Sequence, residues 1–150
     1  MLIHDLNLID VALRAAYKLQ QACPWVDFTS GRRTWMEQAH AMAVNTVKKR
    51  SWVGEVYKKE PEIQAWIDAN PGITDVDDLT IGIHTILMLL PLATQNRFAH
   101  PAGRAFDLAV PPAQWQEPTI TVIHSLPALE RFLEGEAGLP IWHCSFKLGG

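Results

Sequence analysis

The stretch His100-Pro101-Ala102-Gly103-Arg104-Ala105-Phe106-Asp107 constrains the fold, because it separates two side chains of the metal-ligand type by seven positions. In one straight strand, His100 and Asp107 would face opposite sides and lie roughly 23 Å apart, at about 3.3 Å per residue. They can share an ion only if the chain turns between them, and Pro101-Ala102-Gly103 suits such a turn. We therefore expect a bend at Gly103, followed by a strand that carries Asp107.

A catalytic zinc ion usually takes three protein ligands, so this pair needs a third His, Cys, Asp or Glu. His143 is the best candidate, because it lies in a segment, 140–147, that we predict to be the last strand. Neighbouring residues of a strand face opposite sides, so His143 and Cys144 cannot both point into one site. Cys144 is expected in the core. Because no C-x-x-C spacing is present, both cysteines are expected to be free thiols.

The composition indicates one globular domain over residues 1–150. Hydrophobic residues make up 48% of the chain and charged residues 19%, which is enough to bury a sizeable core. The net charge of -3, with no basic stripe beyond Lys48-Lys49-Arg50, argues against nucleic-acid binding. The longest apolar run, 81–92, is interrupted by polar residues and Pro91 and is too short to cross a bilayer. It predicts a buried helix and no membrane span.

Hydrophobic spacing predicts several helices and a few short strands, which indicates an α+β fold. Thr34 and Glu37 have the spacing of a capping box at the start of the second helix. The helices between about 52 and 92 are expected to form an insertion. The predicted helices span 7–23, 34–50, 61–70, 75–90 and about 120–136, the last bent at Pro127, and the predicted strands span 25–29, 105–109 and 140–147.

Three short blocks in a fixed order make the chain recognisable. They read S-G-x-R-T-x-x-x-Q at 30–38, H-x-x-G-x-A-x-D at 100–107 and W-H at 142–143. Together they resemble the D-Ala-D-Ala carboxypeptidase and L-Ala-D-Glu endopeptidase family of zinc peptidases, whose architecture the hedgehog signalling domain shares. The blocks lie between Thr29 and Phe146 but include few of the residues in that span.

The resemblance implies a small, mostly antiparallel sheet with helices packed on one side and at its end. It also implies that this sheet holds a Zn²⁺ site with the ligands His100, Asp107 and His143. It also implies an enzyme that cuts bacterial peptidoglycan peptides containing D-amino acids, as a carboxypeptidase or an endopeptidase. Arg33 matches the arginine that orients substrate in this family, aimed at a carbonyl or carboxylate of the peptide. A guanidinium is well suited to either role.

Three further residues are expected to contribute to substrate binding. Ser30 and Gln38 match family positions that shape and support the pocket. Trp142 lies beside the predicted ligand His143, where a large ring could line a cleft. The predicted substrate-binding residues are therefore Arg33, Ser30, Gln38 and Trp142.

The chain departs from the family pattern at two positions. Phe98 stands two residues before His100, where the family usually has serine. Pro140 stands where many members have the catalytic acid or base, and proline cannot transfer a proton. We expect Glu136 to act as the base, with Glu134 as the alternative; both could equally be solvated carboxylates at a helix end.

Pro140 also supports a second hypothesis. The chain could be a catalytically degenerate member of the same fold, in which zinc stabilises a structural or binding module, for example in a phage particle. The N-terminal residues lack the features of a secretory signal, so we expect a protein that is cytoplasmic as synthesised. An enzyme of this kind would reach the wall through lysis or on a phage particle.

Overall fold

The computed structural model describes residues 1–135 and 139–148, and these form an α+β fold, as the sequence predicts. The chain divides into two compact units. The first, here called the sheet unit, consists of Met1–Arg32 and Ala99–Gly150. The second, the helical unit, is Arg33–Phe98, and it contains the segment at 52–92 that was expected to be an insertion.

The sheet unit contains two helices and all four strands of the described residues. A short 3-10 helix at Ile3–Leu6 precedes them. The helices and strands are α1 (Asp10–Ala22), β1 (Phe28–Ser30), β2 (Ala105–Ala109), α7 (Ala113–His124), β3 (Leu129–Leu133) and β4 (Ile141–Phe146).

The four strands form one antiparallel sheet in the order β1-β2-β4-β3. Alternation along β2 and β4 separates two faces. Phe106 and Cys144 are paired, and both face a hydrophobic core that also contains residues of α1 and α7. Asp107 and His143 are the next pair along and therefore face the other side of the sheet. The predicted strand at 105–109 and the core position of Cys144 are confirmed.

A tight turn before β2 confirms the bend expected at Gly103. Gly103 has a φ of 74°, in the left-handed region that favours glycine, and its N–H donates to the His100 carbonyl at 3.0 Å. The Arg104 N–H donates to the Ala99 carbonyl at 2.9 Å. The chain therefore reverses between His100 and Asp107, as a shared site requires.

The helical unit contains α2 (Trp35–Lys48), α3 (Trp52–Val56), α4 (Pro61–Ala69), α5 (Val76–Leu89) and α6 (Leu92–Gln95). The capping box before α2 is present: the Glu37 N–H donates to Thr34 Oγ1 and the Thr34 N–H donates to Glu37 Oε1. Asp75 caps α5 by accepting two backbone N–H groups. The predicted helices at 34–50, 61–70 and 75–90 are confirmed, with ends shifted by at most two residues.

The helix predicted at about 120–136 is wrong, because the chain forms α7 and then β3 there. Pro112 precedes the first helical residue, where its fixed φ favours a helix start. Pro127 disfavours helical geometry at the residue before it, and Ala128 adopts a φ of 62°, so the helix ends and does not bend. The strand predicted at 25–29 is displaced to Phe28–Ser30.

Two further expectations concern the whole chain. Both cysteines, Cys23 and Cys144, are buried and unpaired with each other, as predicted. Within residues 1–135 and 139–148, no helix combines the length and the apolar character needed to cross a bilayer.

Candidate metal centre

Three buried side chains meet on the face of the sheet that points away from the main core. The β2–β4 register places Asp107 directly opposite His143, and the turn at Gly103 brings His100 back beside them. The exposed fractions of His100, Asp107 and His143 are 6%, 2% and 8%. One ligand atom from each lies within 4.8 Å of the other two, so this triad could hold a metal ion.

The ring nitrogens of the triad have distinct partners. His100 Nδ1 lies 2.8 Å from the Gly31 carbonyl oxygen, which can only accept, so the ring proton is on Nδ1. His100 Nε2 lies 3.2 Å from Asp107 Oδ1. A histidine that donates one ring N–H to a carbonyl and presents its other nitrogen to a cation has the usual arrangement of a metal ligand.

Two of the three distances between ligand atoms are compatible with a tetrahedral ion. His143 Nδ1 lies 3.0 Å from Asp107 Oδ1, compared with 3.2 Å for His100 Nε2. Ligand atoms about 2.05 Å from a tetrahedral zinc ion are about 3.3 Å apart, which is close to both values. With its proton on Nδ1, a neutral His100 would present a lone pair to the Asp107 carboxylate. A cation in between, either a second proton or a metal ion, removes that repulsion.

Electrostatics at the triad favour an ionised Asp107. Burial raises the pKa of this carboxyl, but the charges and hydrogen bonds of His100 and His143 outweigh burial and hold the pKa well below its usual range. Behind the sheet, burial and the charge of Asp107 together raise the pKa of the Cys144 thiol. Cys144 is therefore a protonated core residue and does not join the triad.

Ser30 and Trp142 lie in very different places relative to the triad. Ser30 is the β1 partner of Asp107, so the two residues are on the same face of the sheet. Trp142 is 2% exposed and faces the core, where its ring lies edge-on to Phe132 at 5.4 Å. Its position in the core, behind the sheet from His143, contradicts the expectation that Trp142 lines a substrate cleft.

Arg33 and Gln38 are brought together in the helical unit. Arg33 Nη1 donates to Gln38 Oε1 at 3.3 Å, and Gln38 is 1% exposed, so a buried amide holds the guanidinium. The role of Gln38 in supporting a substrate pocket and the role of Arg33 in orienting substrate stay predictions.

The expected base, Glu136, lies outside the described residues. Its alternative, Glu134, is exposed and directly follows Leu133, which is the β3 partner of His143. Pro140 immediately precedes β4 and, as the sequence indicates, offers no group that could carry a proton. Any proton transfer at this site would therefore involve another residue.

Sequence reasoning missed the contribution of Gly31. Its carbonyl fixes His100, and a Cβ at this position would overlap the Leu6 carbonyl oxygen and side chain. The signal was present, because Gly31 is part of the S-G-x-R-T block. Every residue has a backbone carbonyl, however, so the motif does not indicate that this one binds His100.

Comparisons with protein-family models, curated protein sequences and solved structures found no match to this chain. The case for a function therefore rests on the geometry of the triad and on the order of the three sequence blocks.

Proposed function

We propose that this chain is a zinc-dependent peptidase that cleaves stem peptides or cross-links of bacterial peptidoglycan. The observation that carries the proposal is the convergence of His100 Nε2, Asp107 Oδ1 and His143 Nδ1 in a buried site, with His100 oriented by a backbone carbonyl. The order of the three sequence blocks supports the peptidase family. Such an enzyme would act at the cell wall after lysis or as part of a phage particle.

Zinc is the proposed ion because of the donor set. Two imidazoles and one carboxylate suit several first-row metals, but three protein ligands with one position left for a small molecule are typical of catalytic zinc. When bound, zinc polarises a carbonyl and lowers the pKa of a water molecule that it coordinates.

The chain's own residues would orient the substrate and move the proton. Arg33 would bind a carboxylate or the scissile carbonyl of the peptide, since a guanidinium offers two parallel donors. Glu136 would accept a proton from the attacking water and return it to the leaving amine, with Glu134 as the alternative. The charge of Asp107 would keep both imidazoles in place as ligands.

A second candidate function is favoured by Pro140. Where the family usually has its proton-transfer residue, this chain has a residue with no ionisable group. The same triad would then hold zinc to stabilise a binding or structural module, for example in a phage particle. Metal binding is common to both functions, so hydrolysis distinguishes them.

The decisive experiment measures the zinc content of the purified protein and the release of amino groups from purified peptidoglycan. We expect one zinc ion per chain and release by the wild type. The bound zinc and the release of amino groups should both be lost in His143→Ala. Both should be retained in the control His40→Ala, which removes an exposed imidazole on α2. Stoichiometric zinc without any release would reject the peptidase and favour the module. Absence of zinc from the wild type at saturating concentration would reject both.

The assignment of the base is tested by neutral variants. Glu136→Gln should lower kcat by about 100-fold or more while zinc content is unchanged, because a general base contributes about 10²–10⁴-fold. Glu134→Gln is the matched control on the same segment. A large loss in Glu134→Gln only would transfer the role to that residue.

A further inference from the structure

A chain of hydrogen bonds in the helical unit links Arg33 through Gln38 to Tyr57. Arg33 Nη1 donates to Gln38 Oε1 at 3.3 Å, and Gln38 Nε2 donates to the Tyr57 hydroxyl oxygen at 2.9 Å. All three residues lie within Arg33–Phe98. The guanidinium therefore contacts the first turn of α2 and is linked, through the Gln38 amide, to the residue that follows α3.

The orientation of the Gln38 amide follows from its partners. The amide is buried and has one acceptor end and one donor end. If it were flipped, its NH2 group would face the N–H groups of Arg33, and two donors would repel. The observed orientation directs the NH2 group to Tyr57, whose hydroxyl oxygen accepts it. Tyr57 thus helps to fix the orientation of the acceptor for Arg33.

The Tyr57 ring is itself fixed by aromatic packing. It stacks on Phe98 with ring centroids 5.4 Å apart and an interplanar angle of 19°. Phe98 is buried and also contacts Trp35 edge-on at 5.6 Å. Phe98 is the residue that stands where the resembling family has serine. In this chain, position 98 therefore has an aromatic ring that packs against Tyr57, and it has no hydroxyl group.

We propose that Tyr57 is a positioning residue that holds the Arg33 guanidinium through Gln38 and so sets the affinity for peptides that carry a carboxylate. This inference rests on the proposed function and deepens it by naming the substrate feature that Arg33 recognises. A bidentate contact to a carboxylate requires a fixed guanidinium plane. Loss of the Tyr57 hydroxyl leaves the buried Gln38 NH2 group without this acceptor, so the amide is held less firmly and fixes the Arg33 guanidinium less well.

The kinetic test compares Tyr57→Phe with Tyr17→Phe, the same change at the other tyrosine of the chain, which is exposed on α1. On a stem peptide with a free carboxylate, Tyr57→Phe should raise KM about tenfold, with kcat within twofold of the wild type. Tyr17→Phe should change neither constant. A fall in kcat at unchanged KM would overturn the proposal that Arg33 binds a substrate carboxylate, because Arg33 would then act only in the transition state.

A double-mutant cycle tests whether Tyr57 acts through Arg33. In an Arg33→Ala background, Tyr57→Phe should raise KM by less than twofold, because the group that it positions is absent. The full tenfold effect in that background would overturn the inference, since Tyr57 would then contact substrate directly or act through general stability.

A measurement on the substrate-free protein separates this inference from the proposed function. The Arg33 Nε–Hε resonance, assigned by its loss in Arg33→Lys, should shift or broaden in Tyr57→Phe and stay unchanged in Tyr17→Phe. If peptidoglycan is not cleaved but the resonance responds, the peptidase proposal fails and the positioning role of Tyr57 stands. An unchanged resonance in folded Tyr57→Phe would overturn the positioning role, whether or not the protein is an enzyme.

Discussion

Gly31 supports the candidate site with backbone atoms alone. Its carbonyl oxygen accepts from His100 Nδ1 at 2.8 Å, and its Cα lies against Leu6, whose carbonyl accepts from the Arg32 N–H at 2.8 Å. A side chain at position 31 would have to displace the Leu6 backbone, and the carbonyl that orients His100 would move with it. Only glycine fits at position 31. Its backbone carbonyl then lies beside His100 Nδ1 and fixes the tautomer of this candidate ligand.

Gly31→Ala should therefore weaken both the fold and the metal site. We expect the free energy of unfolding to fall by about 1–3 kcal/mol, the usual cost of overpacking, and zinc affinity to fall by about tenfold or more. Urea unfolding and a zinc titration against a competing chelator measure the two effects. Gly72→Ala is the matched control, because a Cβ there would meet nothing within 4 Å. Equal unfolding free energies and equal zinc affinities of the two variants would show that position 31 tolerates a side chain.

Glu60 is a buried carboxyl whose ionisation should oppose folding. It is 5% exposed, and Arg97 Nη1 lies 3.6 Å away. Burial raises the pKa of Glu60, and the nearby charge of Arg97 only partly offsets that effect. Because the pKa is higher in the folded chain than in the unfolded chain, the folded state favours the protonated carboxyl. This contribution to stability is fully present below the unfolded pKa and is lost as pH rises through the folded pKa.

The Glu60→Gln variant tests this pH dependence. As pH rises from about 4 to 7, the stability of the wild type should decline relative to that of Glu60→Gln, which has no carboxyl to ionise. Urea unfolding of both proteins across this range gives the difference directly. Glu117→Gln, at an exposed position of α7, accounts for the change in net charge. A difference between wild type and Glu60→Gln that does not vary with pH would refute the raised pKa.

At the scale of the helices, local capping signals were readable from the sequence. Thr34 and Glu37 form the expected capping box, and α2 begins at the next residue. Thr34→Ala should lower the free energy of unfolding by about 1 kcal/mol. Thr85→Ala, on an exposed face within α5, removes the same hydroxyl without a cap and should cost less than about 0.5 kcal/mol. Equal losses in chemical unfolding would contradict a specific capping role.

Arg50 secures the end of α4, although the sequence shows it only as part of the basic run Lys48-Lys49-Arg50. Its guanidinium donates to the carbonyls of Ile67, Asn70 and Ile73 at 2.7–2.9 Å. Lysine cannot reproduce this planar set of donors, so Arg50→Lys should lower the free energy of unfolding by about 1–3 kcal/mol. Arg14→Lys, at an exposed position of α1, is the control. A thermal midpoint equal to that of the control would contradict the cap.

The region after β2 shows where sequence periodicity failed. Residues 120–136 have enough spaced apolar side chains to suggest a helix, yet the chain forms α7 earlier and then β3. Long-range contacts decide the outcome, because Phe132 packs edge-on against Trp142 of β4, and Leu133 pairs with His143. Neither contact is encoded in the local pattern. Tertiary pairing therefore overrides a weak helical period.

At the scale of the whole chain, the triad could be predicted because each ligand lies in a segment with its own signal. The required bend at Gly103, the alternation of β2 and the W-H pair on β4 together bring His100, Asp107 and His143 to one face. The contact that orients His100 was not predictable, since the Gly31 carbonyl depends on packing against Leu6. Within the helical unit, the contact of the Tyr57 hydroxyl with Gln38 was not predictable either, since it depends on stacking of Tyr57 with Phe98. Both contacts join segments distant in sequence and involve atoms that no motif identifies.

If the triad holds zinc only in the folded chain, metal binding must stabilise the sheet unit. A ligand at 100 times its dissociation constant contributes about 2.7 kcal/mol, which corresponds to a rise of roughly 5–10 °C in the melting temperature of a chain of this size. Amide exchange in β2 and β4, which carry Asp107 and His143, should slow on addition of zinc. His143→Ala should abolish the rise in melting temperature, and His40→Ala should retain it. A rise in melting temperature of the same size in His143→Ala would mean that zinc binds elsewhere and that the triad is not the zinc site.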